Sequence, residues 1–403
     1  MKKKYWFFYS FLFGFVSLSL IALFAGFVAF DNYYAKEIHV ASGGKQDPHY
    51  PNRHNRGHEI YHHGLAPNIS TSYDRWGPLV TPIKTNSLGF RDAEVRNVPL
   101  TSDKPRLLFI GDSVTYGLAI DFEKTFPQIF AEKFHGTIDV LNASVPSYSV
   151  VIYYRKIKHL LETVGLKFDH LLILIDISDN QDDALFYELD ANDRVVDMKD
   201  WQKNPLTVLK AIDNAPKLTS KYEETMDWVI GNTYFLKSLY LHLFHAYGDY
   251  LPSIFPKSTV LKYTTRFTPR GVWSTNKEIF DAYGAKGLER QKKYLDMLKP
   301  LLDKHGVRLS VGVYPWPNHI HYNDIDSIQV KTFSEWCANN GAHFVNLFPP
   351  FMKSKDTKST IDKYFIANDI HLSEAGHQFI GDELVRIFQS ETELAKSSSK
   401  KAY

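Results

Sequence analysis

Five short stretches of this chain, residues 107–110, 138–141, 171–177, 309–313 and 343–347, are dominated by apolar residues and lack the polar alternation of a half-exposed strand. Between them run segments with helical spacing, at 122–134 (Phe126, Ile129, Phe130 and Phe134 on one face), 150–164, 278–305 and 330–340. Strands that are apolar on both faces need cover on both faces. Separated by helices, they predict an α/β fold built on a parallel sheet.

Composition excludes several functions. The chain has 403 residues, 44% of them hydrophobic, enough for a large core. Its 47 Lys+Arg against 45 Asp+Glu leave a net charge of +2, so no basic surplus points to nucleic acid. The single cysteine, Cys337, cannot form an intramolecular disulfide or a multi-thiolate metal site, and leaves the redox compartment open.

The N-terminus speaks to compartment. Lys2, Lys3 and Lys4 precede an uncharged, strongly apolar run over residues 5–30. As a helix that run reaches about 39 Å, more than the ~30 Å hydrocarbon core of a bilayer. It is longer than the apolar region of a cleaved signal peptide, so we expect a signal anchor that is retained. By the positive-inside rule the lysines stay cytoplasmic, and everything beyond Asp31 faces outward from the cytoplasmic membrane.

Residues 31–104, rich in His, Asn, Pro and Gly, read as a linker with short accessory strands, and 105–390 as the main domain. An insertion at about 185–275, aromatic-rich over 222–247, is expected as a cap over the carboxyl ends of the strands, where ligands bind in such sheets. The Ser/Lys-rich tail after Ser390 is expected to be disordered.

Two local features carry chemistry. Gly111-Asp112-Ser113 falls where the first strand of the α/β region ends, a position that exposes a serine hydroxyl beside backbone N–H groups. The Gly-x-Ser-x-Gly elbow is absent, Thr115 standing at the second glycine. Asp369-Ile370-His371 places an acid and an imidazole on one side of an extended loop, fit for a base oriented by a carboxylate, with the pairing of ring nitrogens left open. His58-Glu59-Ile60-Tyr61-His62 matches a zinc motif by letter, but the motif needs a helix and this segment lies between Gly57 and Gly64. His49, His54 and His63 read as surface or hairpin residues. Trp316, in Tyr314-Pro315-Trp316-Pro317-Asn318, reads as turn packing or as a flat face for a sugar ring or acyl chain. Gln181, Asp182 and Asp183 read as rim residues or a solvated strand end.

Three blocks in this order resemble the SGNH/GDSL hydrolases, specifically their membrane-anchored or exported bacterial members: Thr85-Asn86-Ser87-Leu88-Gly89-Phe90-Arg91-Asp92, Leu107 onward through Gly111-Asp112-Ser113 to Gly117, and Asp369-Ile370-His371-Leu372-Ser373-Glu374-Ala375-Gly376-His377. The resemblance covers roughly residues 80–390. It implies a flavodoxin-like three-layer α/β/α fold, with Ser113 as nucleophile, His371 as base and Asp369 orienting it. It also implies acyl-ester chemistry without cofactor or metal. The family's oxyanion glycine is replaced by Ser147, and its oxyanion asparagine by Ser178, leaving the Ser178 hydroxyl or the Asn180 amide to donate instead. The expected function is a serine esterase acting on O-acyl esters, O-acetyl among them, of envelope or exported glycans. The alternatives are an O-acyltransferase with the same triad and a non-catalytic envelope-assembly or glycan-binding protein of the same fold.

Overall fold

The computed structural model of the protein describes residues 2–41, 54–76, 79–198, 270–271, 273–366 and 369–400. Helix α1 (Lys2–Ala41) contains one stretch, Phe13–Asp31, long and apolar enough to cross a membrane. It continues eleven residues past the expected end of the apolar run at Phe30. Asp31 carries a charge without breaking the helix, and neither Gly nor Pro follows it before Ala41.

Twelve strands lie among the described residues. Strands β1 (Asn55–His58) and β2 (His62–Leu65) form a hairpin, and β3 (Ser72–Trp76), β4 (Leu79–Thr85) and β5 (Arg91–Asp92) a small sheet. The main sheet holds β6 (Arg106–Gly111), β7 (Asp139–Asn142) and β8 (His170–Ile175), and beyond the hairpin β9 (Tyr187–Leu189) and β10 (Val195–Asp197) it adds β11 (Arg308–Val313) and β12 (His343–Asn346). Its order is β12-β11-β8-β6-β7, parallel throughout. Counted along the chain this is 2-1-3-4-5, the flavodoxin-like order, whose direction reverses between the first and third strands.

That reversal sorts the helices. Crossovers are right-handed, so the connection from β6 to β7 and the connections from β7 onward lie on opposite faces. Accordingly α3 (Phe126–Lys133), which follows the one-turn α2 (Ser113–Tyr116), packs with the C-terminal α8 (Glu374–Lys400). On the other face α4 (Val150–His159) and α5 (Asp179–Leu185) pack with α6 (Ala285–Lys304), which also meets α7 (Ile328–Asn340).

Several expectations change. Strands β1 to β5, apart from Leu79, fall in the same compact unit as the main sheet, so the accessory strands expected within 31–104 are part of that unit. The tail after Ser390, expected without order, is helical through Lys400; Glu391, Glu393, Leu394, Ala395 and Lys396 are strong helix formers. His58 pairs with His62 across the β1–β2 hairpin, so the zinc-like motif lacks the helix it needs. Of the expected insertion, the described part begins as the β9–β10 hairpin; the aromatic segment 222–247 lies outside the described residues.

Lys156 of α4 is 1% exposed, and no carboxylate pairs with it among the described residues. Its Nζ donates to Ala143 O (2.8 Å) and to the Tyr148 hydroxyl (3.1 Å), beneath the rings of Tyr148, Phe90 and Tyr61 at 4.9, 5.3 and 5.5 Å. Burial pushes its amine down to about 7. The unfolded chain therefore holds a proton that the folded chain has released between about pH 7 and the ordinary lysine range, and stability gains with rising pH across that window. Thermal melts at pH 7, 8 and 9 should show a rise in Tm in the wild type that is missing from Lys156→Met; parallel curves would contradict the linkage.

Gly287 lets α6 touch α5: a Cβ there would meet Asn180 O at 2.4 Å and Asn180 Cγ at 2.5 Å. Because a backbone carbonyl cannot swing aside, Gly287→Ala should lower the free energy of unfolding by about 1–3 kcal/mol, measured in urea.

Candidate active site

The sheet's direction reverses between β6 and β8, and the residues at their carboxyl ends build the site. Gly111 closes β6 where nothing larger fits, since a Cβ would meet Thr115 Oγ1 at 2.3 Å and Leu174 O at 3.0 Å. The Asp112 carboxylate then caps α2 by accepting from Val114 N (3.0 Å), and Ser113 becomes its first residue. Gly117, at φ 84°, ends the turn in the left-handed region. Arg91 donates to the carbonyls of Tyr116, Gly117 and Ile120 at 3.0, 2.6 and 2.5 Å, satisfying acceptors the short helix leaves open. The block around Asn86 shapes this arm: Asn86 Oδ1 accepts from Leu88 N and Phe90 N, and its amide donates to Asp92.

On the far side of Ser113, the loop before α8 brings Asp369 and His371 together, as the i, i+2 spacing suggested. His371 Nδ1 lies 2.7 Å from Asp369 Oδ1, and His371 Nε2 lies 2.9 Å from Ser113 Oγ. Asp369 Oδ1 also accepts from the N–H groups of Ile370 and His371 at 2.6 and 3.0 Å. Burial works to lower the proton affinity of His371, but the hydrogen bond and charge of Asp369, with Asp112 and Asp176 behind, outweigh it and raise the imidazole above its ordinary value. Burial likewise opposes ionisation of Asp369, yet His371 and Trp76 hold its carboxyl below the usual range. The second histidine of the block, His377, accepts from Phe126 N (3.2 Å) at the start of α3 and so serves packing.

Trp76 was not singled out by the sequence. From β3 its indole N–H donates to Asp369 Oδ2, while the ring stands edge-on to the His371 imidazole with centroids 4.9 Å apart. Two residues earlier, Asp74 accepts from the Tyr116 hydroxyl (2.6 Å) and pairs with His54 Nε2 (2.9 Å), whose Nδ1 meets Ser72 Oγ (2.7 Å). His54 is therefore buried, contrary to the surface reading. The alternation Ser72, Asp74, Trp76 is the only sequence sign that these three share a face.

Beneath Ser113 lies a group of buried acids. Carboxylate oxygens of Asp112, Asp176 and Asp179 all lie within 4.8 Å of one another. Such a set suits a cation by its charge; most of its acceptor positions are filled by donors, while Asp179 Oδ1 is buried with no hydrogen-bond partner among the described residues. Asp176 accepts from the Tyr314 hydroxyl (2.7 Å), Trp316 Nε1 (2.8 Å), Ser178 N (2.8 Å) and Ser178 Oγ (2.6 Å), and Asp179 from the Tyr153 hydroxyl (2.7 Å). Burial, then the charge of Asp176, pushes Asp112 up to about 7. Burial, then Asp112 and Asp176, lifts Asp179 well above the carboxylate range. The raised proton affinities of Asp112 and Asp179 offset part of the charge gathered here. Ser113 Oγ lies 3.1 Å from Asp112 Oδ2, so its hydroxyl has two partners, Asp112 and His371.

The expected oxyanion side chains point elsewhere. The Ser178 hydroxyl is spent on Asp176, an acid at the strand end that captures the nearest donors. Asn180 is fully buried and donates to Gly284 O (2.9 Å) at the junction with α6. Ser147 is exposed and sits at φ 63°, the left-handed conformation that favours the family's glycine. Its loop is held at Val145, whose N–H reaches Gly111 O (3.4 Å), and at Pro146, whose carbonyl is 2.9 Å from His63 Nε2. His63, a residue of the β1–β2 hairpin as one of its two readings had it, is thus tied to this loop. His49 lies outside the described residues. Trp316 is 2% exposed, which removes it as a flat face for a ligand. Gln181, Asp182 and Asp183 are buried too: Asp182 pairs with Arg270 (2.7 Å), and Asp183 accepts from Ser149 Oγ, Val150 N and Val151 N at the start of α4.

No family model matches the chain, and no curated protein does. Solved structures match at low identity. The psychrotrophic esterase EstA from Pseudoalteromonas sp. is 15% identical, covering 72% of this chain and 100% of its own, with a TM-score of 0.35. A catalytic mutant of Axe2, an acetylxylan esterase from Geobacillus stearothermophilus, is 12% identical, covering 72% and 95%, with a TM-score of 0.36. The lipase/acylhydrolase from Enterococcus faecalis is 12% identical, covering 71% and 96%, with a TM-score of 0.34. What this chain has in its own right is the fold those blocks implied, a five-stranded parallel sheet in flavodoxin-like order between two layers of helices.

Proposed function

We propose that this protein is a serine esterase of SGNH/GDSL type that hydrolyses O-acyl esters, carried on the outer side of a membrane by α1. The observation that supports it most is the hydrogen-bonded line from Asp369 through His371 to Ser113. In this reading Ser113 Oγ attacks the ester carbonyl while His371 Nε2 takes its proton, and Asp369 stabilises the imidazolium through Nδ1. The backbone N–H groups of Ser113 and Ser147 receive the developing oxyanion. Collapse expels the alcohol, which takes the proton from His371, and water activated by the same imidazole releases the acid. With an alcohol acceptor in place of water the same residues transfer the acyl group. Glycan-linked acyl groups are the substrate class we favour, on the outward compartment that Lys2, Lys3 and Lys4 imply for the domain.

One observation favours a non-catalytic reading: Ser178 and Asn180, the side chains expected to complete the oxyanion site, are engaged elsewhere. A missing donor costs about 10²–10³ in turnover, which slows an enzyme without abolishing it. A fluorophosphonate probe separates the readings. The wild type should label and Ser113→Ala should not; an unlabelled wild type would sink the esterase reading.

Ser113→Ala and His371→Ala should each remove most hydrolysis of p-nitrophenyl acetate, and the double variant should lose little more than either, because the residues act as one unit. Neutral His371 is the base and its proton affinity is raised, so turnover should fall with decreasing pH from a midpoint above the ordinary imidazole value of about 6.5. An acid limb below that value would contradict the assignment.

The anchor is tested separately. The full chain should sediment with membranes and resist carbonate extraction, and a reporter active only outside the cytoplasm should be active when fused after Tyr403. Activity of a cytoplasm-only reporter at that position would reverse the topology.

A further inference from the structure

Trp76 touches both partners of the proposed relay from outside the α/β sheet. Its indole N–H donates to Asp369 Oδ2, the carboxylate oxygen that His371 does not use. Its ring packs edge-on against the imidazole at 4.9 Å. On the same strand face, Asp74 holds Tyr116 of the nucleophile turn. Strand β3 therefore braces both sides of the relay, the nucleophile's helix and the base's carboxylate.

We propose that Trp76 is a positioning residue that sets how firmly Asp369 holds the imidazolium of His371, and so the pH below which the base is lost; this rests on the esterase reading of the same site. An N–H donated to Oδ2 draws charge from the carboxylate and weakens its pull on the proton at Nδ1. The donor thus keeps His371 from being held protonated by its surroundings. Those surroundings are strongly negative: Asp369 from its own loop, Asp112 from the end of β6 and Asp176 from the end of β8 all favour the charged imidazole. From α8, His377 faces it as well, but burial presses that ring down to about 3 and leaves it neutral at any working pH. Without the indole N–H, Asp369 Oδ2 loses the donor that tempers its pull on the imidazolium.

The test is Trp76→Phe, which keeps an edge-on ring and removes the donor. In the full-length protein, with p-nitrophenyl acetate as substrate, the acid limb of kcat/KM should move up by about one pH unit. The position of the limb, and not the height of the plateau, is the quantity that separates this role from a merely structural one. Replacing Trp76 by β-(3-benzothienyl)alanine, which exchanges the indole N–H for sulfur in a ring of nearly the same shape, should give the same displacement and guards against a packing defect in the Phe variant. Asp112 titrates in the same range, so the displacement is taken between proteins that all retain Asp112. A uniform loss of rate at every pH, or an unmoved limb, would overturn the proposal. The His371 ring protons, followed by NMR against pH, report the same displacement without turnover. An inactive, unlabelled wild type whose His371 titration still moves with Trp76 would therefore defeat the esterase reading alone, whereas an unmoved titration would defeat this one.

Discussion

Carboxylates crowd the carboxyl ends of β6 and β8 with almost no access to water, and much of the surrounding sequence follows from the need to satisfy them. Asp112, Asp176, Asp179, Asp182 and Asp183 are each less than 5% exposed. An isolated buried carboxylate is prohibitively costly, so each must be neutralised or ringed by donors. Tyr153, Tyr314, Trp316, Ser149, Ser178, Arg270 and the first N–H groups of α4 supply the donors. Asp112 and Asp179 are neutralised in part by retaining protons. The same demand explains why Ser178 is not free to face an oxyanion and why Trp316 is buried instead of exposed to a ligand, whereas Asn180 is held by the Gly284 carbonyl.

A second layer of constraint comes from the small N-terminal sheet. Its three core-facing arms reach different parts of one constellation: Trp76 reaches Asp369, Asp74 reaches Tyr116, and Arg91 gathers the carbonyls that end α2. The resemblance of the Asn86–Asp92 stretch to a family block thus has a physical content here. Asn86 folds a turn around Gly89, at φ 68°, so that Arg91 is aimed at the back of the turn that carries Ser113.

How much of this was legible depended on whether the deciding contact was local. The five strands and their parallel arrangement follow from apolar runs too long for alternation, and the observed strands lie within two residues of the expected ones at either end. The pairing of Asp369 with His371 follows from i, i+2 geometry, although the choice of Nδ1 for the acid needed coordinates. Trp76 was invisible because its partner lies 293 residues away. The partners of Ser178 and Asn180 were hidden for a related reason. Position along the strand end was readable, but the competing acceptors, Asp176 and Gly284, become neighbours of those side chains only in the folded chain. The end of α1 at Ala41 was missed because hydropathy marks where a membrane span stops, and a helix need not stop with it.

The integration of β3 bears on where this molecule can be divided. A cut just before β6 looks natural in the sequence, since the regular alternation of strand and helix begins there. A fragment starting at residue 105 would retain Ser113, His371 and Asp369 and yet lose the indole on the carboxylate, the acid on Tyr116 and the guanidinium at the end of α2. A piece that keeps these three contacts therefore starts upstream of His54, close behind α1 in the sequence, and leaves little slack in which to be trimmed.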